Sequence, residues 1–228
     1  MEIAPNVHWL ETGSSNVYLI IDTPNIVLID TGTPRQQDKI LGKLRQLGHQ
    51  PADLTHILVT HADIDHVGSL AALYKATGAQ IMAGADSARL ISQGKSPKHM
   101  PIIAQWIIDT FMKYGAVPQD KISVLKDGET LPFLSGLQVL ATPGHTLDHF
   151  SFFGPATGIL FAGDAIDTRN GRINLTRPSI TADKTAARRS AIRLLELSPA
   201  IIAAGHGTPS SSHTSDEIMQ LFNTLRQE

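Results

Sequence analysis

The segment Thr60-His61-Ala62-Asp63-Ile64-Asp65-His66, placed directly after the apolar run Ile57-Leu58-Val59, limits this chain's fold more than any other stretch. Four side chains able to bind a metal fall within six positions. Burying carboxylates and imidazoles at that density is costly unless a positive charge sits among them. His61, Asp63 and Asp65 alternate, so an extended or loop backbone projects them to one side, whereas a helix scatters them. A calcium loop starting at Asp63 is rejected, because its twelfth position is Tyr74 where glutamate is required.

Bulk properties remove whole classes of function. With 228 residues the chain can bury a substantial core as one large or two small domains. A net charge of -2 supplies no basic field, so neither nucleic acid nor an anionic membrane is an expected partner. Cysteine is absent, which excludes disulfides, thiolate zinc sites and a cysteine nucleophile. The N-terminal residues lack a basic stretch followed by an apolar one, and no apolar run approaches the roughly 18–20 residues of a membrane span. The expectation is a cytoplasmic protein acting on a small-molecule substrate.

Short apolar runs alternate with helical patterns. Residues 17–21 and 26–29, joined by Asp22-Thr23-Pro24-Asn25, predict a hairpin. Thr33 as cap and Pro34 in the first turn open a helix with Ile40, Leu41, Leu44 and Leu47 on one side, ended by Gly48. A strand over residues 55–60 precedes the cluster, and a helix with Val67, Leu70, Leu73 and Tyr74 follows it as far as Gly78. Further strands are expected at 80–83, 137–141, 149–153, 158–162 and 200–204, with a helix at 182–197. A last helix is opened by the capping box Thr214-x-x-Glu217. This interleaving predicts α/β layering, with residues 1–228 as a single domain.

Residues 86–120 are helical but less regular, and read as a lid or insertion. Within them Ile103, Trp106, Ile107 and Phe111 form a stripe whose simplest reading is a core face. Met100, Ile102, Ile108 and Met112 leave apolar surface on other sides, which points to a lid over the site or to the contact of a homodimer.

Asp30, His61, His145, Asp164 and His206 each fall at or just past the C-terminal end of an apolar run, where loops converge to build sites in layered sheets. His61, Asp63, Asp65, His66, His145, Asp164 and His206 together offer four imidazoles and three carboxylates. That is too many for one four-coordinate ion and about right for two ions sharing a carboxylate. The three late members sit in glycine-bearing turns, Pro143-Gly144-His145, Ala162-Gly163-Asp164 and Gly205-His206-Gly207, where the backbone can pass close to a metal. Nitrogen and oxygen donors without sulfur suit zinc, iron or manganese. His149 starts a strand, so it supports the ligands from behind or packs in the interior. His56 reads as a hydrogen-bonded interior or edge residue, and His8, His49, His99 and His213 as surface or structural residues without metal-type neighbours.

Taken in order, these blocks resemble the metallo-β-lactamase superfamily over nearly the whole chain. The carriers are Asp30 in Ile29-Asp30-Thr31-Gly32, the cluster from His61 to His66, His145 in Thr142-Pro143-Gly144-His145-Thr146, Asp164 in Phe161-Ala162-Gly163-Asp164, and His206 in Gly205-His206-Gly207. The resemblance implies a four-layer αββα sandwich, two mixed β-sheets face to face with helices outside. It implies two divalent metal ions, zinc by family. His61, Asp63, His145 and Asp164 would hold the first, and Asp65, His66, Asp164 and His206 the second. Asp30 would orient the loops through hydrogen bonds.

One position departs from the pattern. Most hydrolytic members carry His-x-His-x-Asp-His, and here Asp63 replaces the second imidazole. Two divalent ions, three carboxylates and one bridging hydroxide then sum to zero charge, where a histidine at 63 would leave one positive charge. The first ion becomes a weaker Lewis acid and tolerates a trivalent state better, which brings iron or manganese in beside zinc. The expected activity is hydrolysis of a small ester, thioester, lactone or phosphoester by a hydroxide bridging ions roughly 3.5–4 Å apart, with Asp65 assisting the leaving group.

Two alternatives stand beside it. One is a diiron-type redox enzyme of the same fold, motivated by the carboxylate at 63, although no flavodoxin-like module follows. The other is a non-catalytic metal-binding module, against which all seven ligands are retained. A true β-lactamase is not expected, because those enzymes lack an aspartate at the block of Asp164. Glyoxalase II is not expected either, because no helical substrate domain follows His206.

Overall fold

The structure is a computed structural model that describes residues 1–210 and 215–227, with side chains except those of Ala104, Asp109, Phe111, Ser215 and Gln227. Thr214 of the expected capping box lies outside these residues, as does His213. The chain forms two compact units, Met1–Pro97 with Ile102–Leu125, and Lys98–Pro101 with Lys126–Glu228.

The first unit is built on a seven-stranded sheet whose strands follow sequence order: β1 (Glu2–Ala4), β2 (Val7–Thr12), β3 (Ser15–Asp22), β4 (Asn25–Ile29), β5 (His56–Leu58), β6 (Gln80–Ala83) and β7 (Ile122–Val124). Tight turns make the first four antiparallel. From β4 onward the pairs are parallel and need crossovers. These are supplied by α1 (Gln37–Gln46), α2 (Ile64–Val67), α3 (Leu70–Thr77), α4 (Ala85–Gln93) and α5 (Ile102–Phe111). Side chains of one parity, including Val17, Leu19, Leu28, Ile57 and Ile81, pack on Ile40 and Leu44 of α1, Leu70 and Leu73 of α3, and Ile91 of α4. The opposite parity (Tyr18, Ile20, Val27, Ile29, Leu58) is buried as well. Burial on both faces explains why these strands read as continuous apolar runs.

Three expectations need correction here. Helix α1 starts at Gln37, not just after Thr33. The Thr33 hydroxyl donates to the Thr12 carbonyl at 3.1 Å, and Arg35 sits at φ 69°, so neither can belong to a helical first turn. The helix after the cluster is broken between Val67 and Leu70, where a Cβ on Gly68 would stand 2.3 Å from the Pro34 nitrogen. The stripe on α5 is no core face: Ile103 is 77 % and Trp106 61 % exposed, while Gln105 is buried. Helical spacing identifies an apolar side but not what it faces, and at Ile103, Trp106 and Ile107 this side is exposed.

The second unit holds a five-stranded sheet in the order β12-β11-β10-β9-β8. Its strands are β8 (Thr130–Leu131), β9 (Leu137–Ala141), β10 (Phe150–Gly154), β11 (Ile159–Gly163) and β12 (Ile201–Ala204). The pairs from β8 to β11 are antiparallel, and β12 joins β11 in parallel after the crossover α6 (Lys184–Glu196). Asp183 caps α6 by accepting the Ala186 N–H at 2.9 Å. Ala191, Leu194 and Leu195 of α6, with Ile218 and Leu225 of α7 (Ser215–Gln227), cover Leu140, Phe153, Leu160, Ala162 and Ile202. Each unit is one mixed sheet with its own helical layer, and the pair makes up the αββα class. No helix among the described residues is long and apolar enough to cross a membrane.

Candidate metal centre

In the first unit the site residues follow β4 and β5. Asp30 comes directly after β4 at φ 59°, a left-handed conformation that Asp tolerates better than most residues. Its carboxylate is fully engaged. One oxygen accepts the Thr60 N–H at 2.8 Å, and the other accepts the Thr60 hydroxyl at 2.7 Å and the His66 Nδ1–H at 2.8 Å. The Thr60 hydroxyl has a single proton and gives it to Asp30. The 3.0 Å contact of Thr60 Oγ1 with His61 Nδ1 must therefore be donated by the imidazole. Both His61 and His66 are thus held as the Nδ1–H tautomer with the lone pair on Nε2, as a metal-ligating histidine requires. Their ring centroids are 4.1 Å apart, and both side chains are buried.

The His61 Nε2 and Asp63 Oδ2 atoms lie 3.4 Å apart. Asp63 ends the extended stretch, and its carbonyl accepts the N–H groups of His66 and Val67 as α2 begins. Alternation therefore unites His61 with Asp63 only. Asp65 arrives on the helical turn, with a ligand-type atom within 4.8 Å of one on His66. The Ser14 hydroxyl donates to the Asp65 carboxylate at 3.2 Å, and the Ser15 hydroxyl donates to its carbonyl. Tyr114, which the sequence does not single out, places its hydroxyl 2.5 Å from the Lys95 carbonyl and 3.4 Å from that of Ala62. Burial first, then the charge of Asp63, push its pKa upward, so it stays a hydrogen-bond donor, and its one proton goes to the nearer Lys95 carbonyl.

The Asp30 network yields a sharp prediction. In Asp30→Asn the NH2 group must face a donor, so at least one buried charge-assisted bond is lost. We expect a stability loss of roughly 3 kcal/mol in chemical denaturation. A variant within about 0.5 kcal/mol of the parent would mean that these bonds do not hold the two imidazoles.

In the second unit, His145 follows β9, Asp164 directly follows β11, and His206 follows β12. The turn at His145 needs glycine: a Cβ on Gly144 would lie 2.3 Å from the Ala187 Cα of α6. Asp164 Oδ2 stands 3.2 Å from His206 Nε2 and 3.6 Å from His145 Nε2. One carboxylate oxygen flanked by two imidazole nitrogens has the form of a shared ligand. These spacings, like that of His61 and Asp63, bracket the edge of about 3.4 Å expected for a tetrahedron with bonds of about 2.1 Å. Two of the three exceed a hydrogen-bond length. The donors thus fit divalent ions by chemistry and by separation.

His149 works behind Asp164. Its Nε2 accepts the Asp164 N–H at 2.9 Å, so Nδ1 carries the proton and donates to Thr142 Oγ1 at 2.7 Å. Thr142 then donates to Ser151 Oγ at 2.9 Å, and Ser151 donates to the Ala162 carbonyl at 3.0 Å. His99 corrects the expectation of a residue without metal-type neighbours. Its ring packs edge-on against His145, with centroids 4.6 Å apart. No local pattern could reveal this, because the two are far apart in sequence and His99 has no other ligand-type residue beside it.

Comparisons with known proteins agree with this reading. The model of the metallo-beta-lactamase superfamily matches residues 10–206. The probable metallo-hydrolase YflN of Bacillus subtilis (strain 168) is 25% identical over 252 residues, covering 98% of this chain and 92% of YflN. Hydroxyacylglutathione hydrolase of Rhodobacter capsulatus is 30% identical over 159 residues, which is 69% of this chain but only 46% of that protein. Among solved structures, a B3 metallo-beta-lactamase described as the first with an active site glutamic acid superposes with a TM-score of 0.74. It is 27% identical, and the match covers 99% of this chain and 86% of that one. The matched span holds every block from Asp30 to His206, and the chain belongs to the metallo-beta-lactamase superfamily, with Asp63 as its variant position.

Proposed function

We propose that this metal-dependent hydrolase uses a dinuclear centre to cleave a small ester, thioester, lactone or phosphoester. His61, Asp63, His145 and Asp164 hold one ion in this reading, and Asp65, His66, Asp164 and His206 the other. The observation that carries it is Asp164 Oδ2, flanked by the Nε2 atoms of His145 and His206. Zinc is the ion the family points to, and the extra negative charge of Asp63 admits iron or manganese. Bound there, the pair of ions would activate a water at neutral pH and polarise the scissile carbonyl or phosphoryl oxygen.

The chain's own residues do the rest. Asp30 and Thr60 hold His61 and His66 in the ligating tautomer. Asp65 is the least buried of the seven, and Ser14 and Ser15 steady it by hydrogen bonds. In this reading it accepts a proton and passes it to the leaving group. The likeness to a hydroxyacylglutathione hydrolase makes thioesters the first substrates to try.

The test is elemental analysis of protein made without added metal, followed by a hydrolysis panel on the same sample. Two metal equivalents with chelator-sensitive turnover are expected. A metal-replete protein inert across the panel would overturn the hydrolytic reading. An iron-loaded, coloured protein that turns over only with an electron donor would transfer the site to redox chemistry, the outcome that Asp63 favours.

A further inference from the structure

We propose that His99 is an additional imidazole donor to the ion held by His145, supplying the neutral nitrogen ligand that position 63 lacks. The inference rests on the dinuclear reading above. The geometry comes from the second unit alone. The two rings meet edge-on at 68°, with centroids 4.6 Å apart, and each offers a nitrogen within 4.8 Å of one on the other. Nitrogens bound to one ion at about 2.1 Å lie no more than about 4.2 Å apart, so His99 is within a small side-chain adjustment of sharing the ligand sphere of His145.

The local chain is built to deliver this one residue. Gly94, left-handed at φ 63°, ends α4, and Pro97 and Pro101 fix φ on either side of Lys98-His99-Met100 before α5 begins at Ile102. The four residues Lys98–Pro101 group with the second unit, although the chain on both sides groups with the first. His99 is the only one of the four whose side chain is an ordinary metal ligand.

The chemistry supplies the reason. Asp63 stands where most hydrolytic relatives place an imidazole, so the first ion has exchanged a neutral nitrogen for an anionic oxygen. A further carboxylate would quench its Lewis acidity again, whereas an imidazole adds a ligand without adding charge. His99 raises the affinity of that ion without changing the charge balance set by Asp63.

The test loads the full chain with Co²⁺ and compares it with His99→Asn, His99→Ala and His145→Ala. The readouts are the hyperfine-shifted, exchangeable imidazole N–H resonances and the affinity of each ion. Both His99 variants should lose one such resonance and bind one of two ions on the order of 10–100-fold more weakly, with the second ion unchanged. The surviving shifted resonances and the far-ultraviolet circular dichroism report that the fold persists. Unchanged resonances and affinities in both His99 variants, with one ion lost in His145→Ala, would overturn the role of His99 and leave the dinuclear reading intact. No loss even in His145→Ala would overturn both.

Discussion

Asp164→Ala lowers kcat/KM by about 10³–10⁴-fold and removes bound metal, while the circular dichroism spectrum stays that of the parent. The size follows from the oxygen it deletes. Asp164 Oδ2 lies between His145 and His206, so its loss strikes both ligand groups of the second unit together. Lewis-acid stabilisation worth several kcal/mol, at about 1.36 kcal/mol per tenfold in rate, gives that range. Asp164→Asn keeps the shape but removes the charge, and should fall almost as far. Either variant keeping more than about a tenth of the activity, measured as initial rates on the best substrate of the panel, would show that this carboxylate is not shared.

Metal removal has the second large effect, and here the readout is stability. Asp63 and Asp164 are buried carboxylates, Asp63 beside His61 and Asp164 between His145 and His206. Without cations the site must protonate or hydrate to relieve its charge. An ion present at about a thousand times its Kd stabilises the native state by about 4 kcal/mol. A chain of this size shifts its Tm by about 2–4 °C per kcal/mol. Stripping the protein with a chelator should therefore lower Tm by about 8–16 °C for each ion in differential scanning calorimetry, and adding Zn²⁺ back should reverse it. A Tm unchanged within about 1 °C would deny any tight metal coupled to folding.

How much of this could be read in the amino-acid order depends on how local each cause is. The strands carrying Asp30, His61, Asp164 and His206 were legible because they are continuous apolar runs, and the residues after them are polar in glycine-rich turns. Asp63 stood out against a short motif. The sequence sets the start of α1 too early because the Thr33 hydroxyl, free in principle to cap, donates to the Thr12 carbonyl on β2. Alternation extends to Asp65 in the sequence, yet α2 begins one residue before it, at Ile64, set by the hydrogen bonds that Asp63 accepts through its carbonyl. The α5 stripe misled because periodicity reports amphipathicity and not the identity of the covering layer. His99 and Tyr114 left no trace at all. Each matters through a contact with a residue distant in sequence, and neither lies in a recognisable motif.

The line of hydrogen bonds from the Asp164 amide through His149, Thr142 and Ser151 to the Ala162 carbonyl runs in one direction only. An amide that cannot give up its hydrogen closes one end, and a carbonyl that can only receive closes the other. Reversing the line would require the carbonyl to donate, so no proton can hop along it. It behaves as a strut and not as a wire: it braces three neighbouring strands under the aspartate while insulating the reacting groups from the interior of the sheet.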